Sequence, residues 1–457
     1  MTRLFGRYVP VEMTVLATLE SLLCFGALYA TLIASSTGRL AVDVIDVGLA
    51  NRAALLAGII GLSAIAIGLY RPEVCLDRRR LLLNAAVAAI LAFPAALLVS
   101  GEFGDGPTRA YAVALVKVLG VWITFAVAAR SLVSTLLSQI VYPRRMLLVG
   151  SGTADVNTWD ALRSGRGRLY EFAGTKGGSI DIGGLTPEQL RQSRIWGIVV
   201  TGGGTAGEEF AAREQERLID CRLRGVRVYD DASFWEQHLG RVNLERLKCA
   251  WFLRGEGFRG GWLSLLIKRV IDVIASGLLL AFTFPLMLTT AILIKLDSPG
   301  PVFYRQARVG LHGKVFTLFK FRSMRTDAEA AGTPRWATKS DSRITRIGAL
   351  IRQTRLDELP QLLNVFRGEM SLIGPRPERP HFVEQLAAVI PFYSERSYVK
   401  PGITGWAQVN YPYGASVEDA REKLSYDLYY VKHRSTMLDL LILMATVRVI
   451  LFREGAR

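Results

Sequence analysis

Residues 262–298 have the sequence WLSLLIKRVIDVIASGLLLAFTFPLMLTTAILIKLDS. The segment is apolar over more than the ~20 residues that a helix needs to cross a bilayer. Basic residues flank it on both sides, with Lys268 and Arg269 near its start and Lys295, Arg305 and Arg308 near or beyond its end. Because basic residues tend to stay on the cytoplasmic side of a membrane, charge on both flanks disagrees with a simple crossing.

Pro285 lies near the middle of this segment. A proline removes one helix hydrogen bond and kinks the chain. We therefore predict a re-entrant helix over residues 264–296 that enters the cytoplasmic leaflet, breaks at Phe284–Pro285 and returns. The alternative is an ordinary kinked fifth span, which would place residues 300–457 outside, and the basic flanks favour re-entry.

Four apolar runs precede this helix, at residues 11–33, 52–70, 81–100 and 110–130. Each approaches the length of a membrane span. Arginines lie at both ends of the block and between the second and third runs, whereas the alternate loops are mainly acidic. The positive-inside rule then predicts four spans with both ends in the cytoplasm. The first run is too long, and is followed by too many others, to be a cleaved signal peptide.

The stretch after the fourth run alternates between short apolar strands and helical pieces. Strands are predicted in RRMLLVGSG (144–152), IWGIVVTGGG (195–204) and VRVYDD (226–231). This alternation favours a small, parallel, Rossmann-like α/β domain. A Gly-x-Gly turn after a strand can cradle a nucleotide phosphate, but Asp155 replaces the third glycine of that fingerprint. Nucleotide binding and a purely structural turn are both left open.

The composition points to an anionic partner at a membrane. Half of the residues are hydrophobic, and the formal net charge is +16. No helix-turn-helix or zinc-finger pattern accompanies this charge, so nucleic acid is not an expected partner. The isolated cysteines and histidines fit neither a disulfide framework nor a zinc site. A metal ion would therefore be a hard cation on carboxylates and phosphates.

Two adjacent carboxylates, Asp357 and Glu358, stand in the basic C-terminal region. Apolar residues at helical spacing follow them, and Pro360 fits only the first turn of that helix, so the pair lies at or just before the helix N-terminus. An acidic helix start is a common structural pattern. Four arginines close by in sequence favour catalysis instead: Arg352, Arg355, Arg367 and Arg376. A carboxylate among arginines can attack phosphorus or hold Mg²⁺.

A second basic element precedes the pair. The alternating sequence VFTLFKFRSM (315–324) predicts a strand that exposes Lys320 and Arg322 on one face. That face is either simply solvated or a cradle for phosphate oxygens, for which an ammonium and a guanidinium are well suited.

From about Leu265 onward, the chain resembles the bacterial polyprenyl-phosphate sugar-phosphate transferases of the monotopic phosphoglycosyl transferase superfamily. The proline-broken helix and six short motifs occur in the expected order: KRVID (268–272), FKFRSM (319–324), LDELPQLLNV (356–365), SLIGPRP (371–377), KPGITGWAQVN (400–410) and YDLYYVK (426–432). The four-span block with its α/β insert resembles the larger members, which initiate exopolysaccharide or O-antigen repeat units.

This resemblance implies transfer of a hexose-1-phosphate from a UDP-sugar to undecaprenyl phosphate, with release of UMP. It implies that Asp357 attacks the β-phosphate and forms a covalent phosphosugar intermediate. Glu358 would complete the catalytic dyad, and Mg²⁺ would bridge Asp357 and the diphosphate. The location implied is the bacterial inner membrane, with the catalytic domain on the cytoplasmic face.

The resemblance also assigns side chains to the substrates. Lys268 and Arg269 would lie at the membrane surface near the lipid phosphate. The remaining substrate-binding candidates are Lys320, Arg322, Arg352, Arg376, Gln408 and Asn410. The sequence departs from the family at NYPYG (410–414), where a Gly-Arg-Asn type of turn is usual. The departure leaves the sugar in doubt, with a preference for glucose or galactose phosphate, and the aromatic residues there equally fit a packed turn.

Two other functions would each account for part of the sequence. A membrane-bound, NAD-dependent nucleotide-sugar dehydratase would need a complete glycine fingerprint and a Tyr-x-x-x-Lys pair, and no tyrosine here has a lysine four residues later. A non-enzymatic scaffold that binds nucleotide and lipid would explain the charge and the spans. It would give no reason for two carboxylates among arginines beside a re-entrant helix.

The sequence thus predicts an α/β membrane protein with three parts. A block of four transmembrane helices occupies residues 1–140, a Rossmann-like α/β domain residues 141–255, and an α-rich catalytic domain residues 262–457, anchored by the re-entrant helix. The apolar run 437–452, which Asp439 and Arg448 interrupt, fits a helix lying on or dipping into the membrane. The four-span block and the added domain offer ample surface for a homodimer.

Overall fold

A computed structural model gives the fold. It describes the chain except for residues 1, 5–6, 10, 37–46, 68, 71–77, 102–107, 141–143, 150–169, 174–186, 201–211, 246, 248, 255–256, 259–260, 327–342, 412–413, 415 and 453–457. The chain forms two compact units, Met1–Leu239 and Gly240–Arg457. The predicted domain boundaries stay a prediction.

The first unit begins with a short antiparallel hairpin, β1 (Thr2–Leu4) and β2 (Arg7–Val9). Four long helices follow: α1 (Val11–Ser36), α2 (Val47–Ile67), α3 (Arg78–Gly101) and α4 (Thr108–Ile140). Each helix packs on the next along the chain, and α4 packs back on α1, so the four form a closed bundle.

Two of these helices are long and apolar enough to cross a membrane, over Gly48–Ile65 in α2 and Leu115–Leu132 in α4. The apolar stretches in α1 and α3 are shorter within the described residues, at Val15–Ala30 and Leu81–Ile90. Four helices therefore lie where four spans were predicted, while their crossing of a membrane stays a prediction.

A charged pair is buried inside this bundle. Arg130 of α4 donates to Glu20 of α1, with Nη2 2.7 Å from Oε2, and the two side chains are 0% and 1% exposed. The Tyr70 hydroxyl donates to the same carboxylate at 3.0 Å. Because unpaired charges are costly in an apolar interior, the pair ties the first helix to the fourth.

An α/β region completes the first unit. Strands β3 (Arg144–Val149), β4 (Tyr170–Ala173), β5 (Ile195–Val200) and β6 (Arg227–Asp230) form a parallel sheet in the order β4-β3-β5-β6. Helices α5 (Pro187–Gln192) and α6 (Ala212–Leu223) lie between strands, and α7 (Asp231–Phe234) leads into a π-helical turn, Trp235–Leu239. The parallel pairing agrees with the prediction. The Gly150–Gly152 turn and Asp155 lie outside the described residues.

The second unit starts with a segment that the sequence did not assign to the catalytic domain. Its helix α8 (Cys249–Arg254) and neighbouring residues pack on the main core of this unit through Val242, Trp251 and Phe252. The Trp406 indole N–H also donates to the Gly240 carbonyl at 2.7 Å. The segment that begins at Gly240 therefore packs with the rest of this compact unit.

Helix α9 (Trp262–Asp297) is one continuous helix with Pro285 inside it. The expected break at Phe284–Pro285 is therefore not an interruption of the helix, since a proline removes a single hydrogen bond. The helix is long and apolar enough to cross a membrane. Its middle is exposed, with Phe282 85% and Phe284 63% accessible.

The remaining elements form the body that carries the site. A hairpin, β7 (Phe303–Val309) and β8 (Val315–Phe321), precedes α10 (Arg346–Gln353), α11 (Gln361–Arg367) and β9 (Ser371–Ile373). Helix α12 (Pro380–Val389) and strand β10 (Gly402–Thr404) follow, with β10 parallel to β9. The last helices are α13 (Trp406–Asn410), α14 (Val417–His433) and α15 (Thr436–Phe452).

Candidate active site

The two carboxylates lie on a single 3₁₀ turn, Leu356–Glu358, immediately before α11. Arg355 precedes the turn with a φ of 61°, a left-handed conformation that is uncommon for a residue with a side chain. Pro360 caps α11. The predicted placement of the pair just before a helix start is confirmed.

Glu358 is held by three cations. Its Oε1 atom accepts from Arg376 Nη2 at 2.7 Å and from Lys320 Nζ at 3.1 Å. Arg355 Nη1 forms a longer ion pair with the same oxygen at 3.8 Å. The side chain of Glu358 is only 12% exposed. Strand β8, the 3₁₀ turn and the loop after β9 thus bring together residues that are far apart in sequence.

Asp357 has the opposite surroundings. It is buried, at 9% exposure, yet its carboxylate makes no hydrogen bond or ion pair with any residue that the structure describes. Such a carboxylate is available to a substrate or a cation.

The pKa values of the pair are displaced in opposite directions. Burial and the adjacent Glu358 raise the pKa of Asp357 above its ordinary value of 3.8, against the pull of nearby cations. Burial also disfavours the charge of Glu358, but Arg376, Lys320 and Arg355 outweigh it and hold the pKa of Glu358 well below its usual range. Burial lowers the pKa of Lys320, and the negative charge of Glu358 partly offsets this effect. Glu358 is therefore ionised, and Asp357 is the more basic carboxylate.

A second group of residues supports Arg376 from behind. The Arg396 guanidinium donates to the Arg376 carbonyl at 2.9 Å and to the Tyr393 hydroxyl at 2.9 Å, and it pairs with Asp427 at 2.7 Å. Burial raises the pKa of Asp427 to about 6, against the pull of Arg396. This network fixes the loop that presents Arg376 to Glu358.

Arg322 lies elsewhere than predicted. It is buried at 5% exposure, and its Nη1 and Nη2 atoms donate to the carbonyls of Pro299 and Ser298 at 2.6 and 2.7 Å. These carbonyls stand at the C-terminal end of α9. Although Arg322 follows Lys320 by two residues, its guanidinium caps that helix, and its predicted phosphate contact stays a prediction, in competition with these hydrogen bonds.

Lys268 and Arg269 also use their donors within the protein. Lys268 Nζ lies 2.7 Å from Asp439 Oδ2 and 3.2 Å from the Ile373 carbonyl. Arg269 donates to the carbonyls of Val365 and Phe366 at 2.7 and 2.8 Å. Their predicted contact with a lipid phosphate stays a prediction, in competition with these hydrogen bonds.

The other residues predicted to contact substrate are Arg352, Gln408 and Asn410. Arg352, in the last turn of α10, is one of the cations that oppose the raised pKa of Asp357. Gln408 donates to the Ile403 carbonyl at 3.1 Å and Asn410 to the Trp406 carbonyl at 2.8 Å. Within the described residues, neither amide hydrogen-bonds to the carboxylate pair. Their predicted roles rest on the motif alone.

Sequence reasoning did not select Arg396 or Asp427 as functional. Asp427 offered a signal, because it is a charged residue on a helix face shared with the buried Leu424, Leu428 and Val431. Arg396 offered none, since its short 3₁₀ segment has no periodicity.

No cluster of three or more His, Cys, Asp or Glu side chains that could hold a metal occurs among the described residues. Mg²⁺ usually needs only one or two protein carboxylates together with substrate phosphates and water. Asp357 fits that requirement because it has no partner among the described residues. Glu358 does not, because its contacting oxygen already binds cations.

Comparison with known proteins places the site in a family. A family model described as bacterial sugar transferase matches residues 263–453. The chain is 43% identical over 254 residues to the UDP-N-acetylgalactosamine-undecaprenyl-phosphate N-acetylgalactosaminephosphotransferase of Aeromonas hydrophila, which covers 55% of this chain and 58% of that protein.

Two further relatives carry glucose in their names. The undecaprenyl-phosphate glucose phosphotransferase of Komagataeibacter xylinus is 34% identical over 367 residues, 73% of this chain and 66% of that protein. The UDP-glucose:undecaprenyl-phosphate glucose-1-phosphate transferase of Caulobacter vibrioides is 42% identical over 191 residues, 41% of this chain and 71% of that protein. The chain therefore spans less than two thirds of the length of the Aeromonas hydrophila and Komagataeibacter xylinus proteins.

Proposed function

The chain belongs to the bacterial sugar transferase family, and from that premise we propose that it transfers a hexose-1-phosphate from a UDP-sugar to undecaprenyl phosphate and releases UMP. One observation carries the proposal: two adjacent buried carboxylates have unequal partners. Glu358 binds Lys320 and Arg376, whereas Asp357 binds none of the described residues.

These unequal partners suit a nucleophile, Asp357, next to a residue that supports it, Glu358. In the first step, an oxygen of Asp357 attacks the β-phosphorus, the bond from that phosphorus to the bridging oxygen breaks, and UMP leaves with that oxygen. In the second step, an oxygen of undecaprenyl phosphate attacks the same phosphorus, and the bond to Asp357 breaks. The Asp357 carboxylate is regenerated, and the sugar is left on a lipid diphosphate.

Glu358 acts through the cations that it holds. Because its charge fixes Lys320 and Arg376 beside Asp357, their donors stand where charge develops on the transferred phosphoryl group. Mg²⁺ bound by Asp357 and the diphosphate would neutralise phosphate charge. Arg355 and Arg352 add positive potential around Asp357.

The apolar helices and the family indicate a membrane-associated protein. We propose the bacterial inner membrane, with the catalytic unit on the cytoplasmic face and α9 re-entrant. Both ends of α9 contact one folded body: Arg269 reaches Val365 near its start, and Asp297 accepts from the Ile347 amide at 3.1 Å near its end. Attachment at both ends with an exposed apolar middle supports an entry and a return. The proposed place of the reaction is the first step of exopolysaccharide or O-antigen assembly.

The proposal is tested with membranes that contain the chain, undecaprenyl phosphate and UDP-sugars labelled in the β-phosphate. UMP release and lipid-linked label are measured for UDP-glucose, UDP-galactose and UDP-N-acetylgalactosamine. We expect at least one donor to yield both products, and a covalent label on the protein when the lipid acceptor is omitted.

Asp357→Asn should reduce covalent labelling and product by about a thousandfold or more. Glu384→Gln is the matched control, because Glu384 is an exposed carboxylate on α12 and its loss should change neither. Product that survives Asp357→Asn would exclude Asp357 as the nucleophile. Absence of product with every donor would exclude the activity.

A further inference from the structure

The first turns of α9 carry three charged side chains that all face the same short segment of the catalytic unit. Lys268, Arg269 and Asp272, here called the helix foot, occupy one stretch of the KRVID motif. Asp272 is 4% exposed. Its Oδ1 atom accepts from the Ser371 hydroxyl at 3.1 Å and from the Leu372 amide at 3.0 Å.

The positive members of the foot bind carbonyls of that segment. Arg269 bonds the last carbonyls of α11, at Val365 and Phe366, and Lys268 bonds the Ile373 carbonyl at the end of β9. The foot therefore contacts the chain at four backbone positions, from the C-terminal end of α11 to the end of β9. The Val365 carbonyl also accepts from the Gly368 amide and the Ile373 carbonyl from the Tyr430 hydroxyl, so the foot joins backbone groups that already belong to the hydrogen-bonded core of this segment.

The clamped segment has catalytic residues at both ends. Residues 361–373 begin three residues after Glu358 and lead, through Gly374 and Pro375, to Arg376. A shift of this segment would thus move the carboxylate pair relative to the arginine that holds Glu358.

The turn within the segment is shaped to receive the foot. Gly368 has a φ of 88°, and a Cβ atom there would lie 3.1 Å from Arg269 Nη2. Beside it, the Phe366 ring lies 3.6 Å from the Cβ position of Gly277 on α9. The φ of Gly368 favours glycine at this turn, and the turn and the helix are in van der Waals contact at Phe366 and Gly277.

We propose that Lys268, Arg269 and Asp272 are positioning residues that clamp residues 361–373 and thereby hold the Asp357–Glu358 pair and Arg376 in their reactive geometry. The inference rests on the proposed function for its kinetic consequence, whereas the clamp itself is a property of the fold. It gives the foot a role in the first chemical step, before any lipid acceptor binds.

The two half-reactions separate this role from lipid binding. Covalent labelling of Asp357 by a UDP-sugar needs no lipid acceptor, and transfer to undecaprenyl phosphate does. We expect Asp272→Ala to slow covalent labelling by about ten- to a hundredfold, with KM for the UDP-sugar changed by less than about twofold. Asp272→Asn should restore most of the rate, because its amide oxygen can still accept both hydrogen bonds.

A charge-conserving variant makes the test sharper. Arg269→Lys keeps the positive charge but cannot donate to two carbonyls in a fixed fork, so it should slow covalent labelling as Asp272→Ala does. Lys295→Gln is the control, since Lys295 is an exposed basic residue on the same helix and should label at the parent rate. Normal labelling in Asp272→Ala and Arg269→Lys, with a loss only on adding undecaprenyl phosphate, would overturn the proposal.

Amide hydrogen exchange tests the clamp without reference to activity. Residues 361–373 should exchange faster in Asp272→Ala than in the parent chain, and Asp272→Asn should restore the slow exchange. Unchanged exchange in Asp272→Ala overturns the clamp, whatever the chain catalyses. If Asp272→Ala exchanges faster but the parent chain forms no covalent label, the result supports the clamp and counts against the proposed mechanism alone.

Discussion

Asp357 and Glu358 are adjacent in sequence, yet the fold gives every short cation contact to the second carboxylate. Lys320 and Arg376 both lie within 3.1 Å of one Glu358 oxygen, and Asp357 makes no such contact with any described residue. A buried carboxylate without a partner ionises less readily than one among cations. The difference between the two acids is thus set by their partners, since both are buried.

The raised pKa of Asp357 predicts the acid limb of the reaction. Only the ionised carboxylate can attack, so the rate of covalent labelling should fall as the pH drops through a pKa above 3.8. In Glu358→Gln the adjacent negative charge is gone and its cations are released. The pKa of Asp357 should therefore fall, and the acid limb should move to lower pH while the maximal rate decreases. Labelling rates across pH check this, and an acid limb that moves to higher pH would contradict it.

At the scale of single elements, Arg322 connects β8 to the end of α9. Its guanidinium bonds carbonyls of Ser298 and Pro299, and Gly300, with a φ of 124°, leaves the space that this side chain needs. The cap holds the C-terminal end of α9 against the hairpin from which Lys320 also projects.

Arg322→Lys should therefore destabilise the chain without weakening substrate binding. One ammonium cannot replace a fork that bonds several carbonyls, and hydrogen bonds to charged groups contribute about 1.5–3 kcal/mol. We expect a lower melting temperature in detergent and an unchanged KM for the UDP-sugar. A raised KM at unchanged melting temperature would instead restore the phosphate contact that the sequence suggested.

The elements were easier to predict than their contacts. Hydrophobic periodicity located the parallel strands and the helix after Pro360, because burial sets that pattern locally. The family resemblance also assigned Lys320 and Arg376 to one site with the carboxylates. The periodicity could not show that Arg322 turns toward α9, since alternation fixes the face of a strand and not the partner. Nor could it show Arg396 behind Arg376, a contact between residues twenty apart without regular structure.

At the scale of the whole molecule, the side of the membrane on which the catalytic unit lies depends on α9. If both ends of that helix meet the same body, the hairpin after it lies on the cytoplasmic side. A cysteine at Lys314, an exposed position in the β7–β8 hairpin, reports this directly. Cys249 is exposed and is replaced by serine to remove its background.

In intact cells, Lys314→Cys should resist a membrane-impermeant thiol reagent and react fully once the membrane is opened. The physical reason is that the basic flanks of α9 keep both of its ends inside. Full labelling in intact cells would instead establish a fifth span, with the catalytic unit outside. A cysteine in the predicted external loop at 102–107 provides the positive control for labelling.

The buried pair in the four-helix bundle affects how the chain is made. Glu20 and Arg130 are 110 residues apart in sequence, so the carboxylate emerges from the ribosome long before its cation. At about 5–20 residues per second, the interval is roughly 5–20 s. Throughout that time the first helix must keep its acid hydrated, protonated or shielded by the insertion machinery. The bundle can therefore close only after the fourth helix has been synthesised, and its assembly is timed by translation.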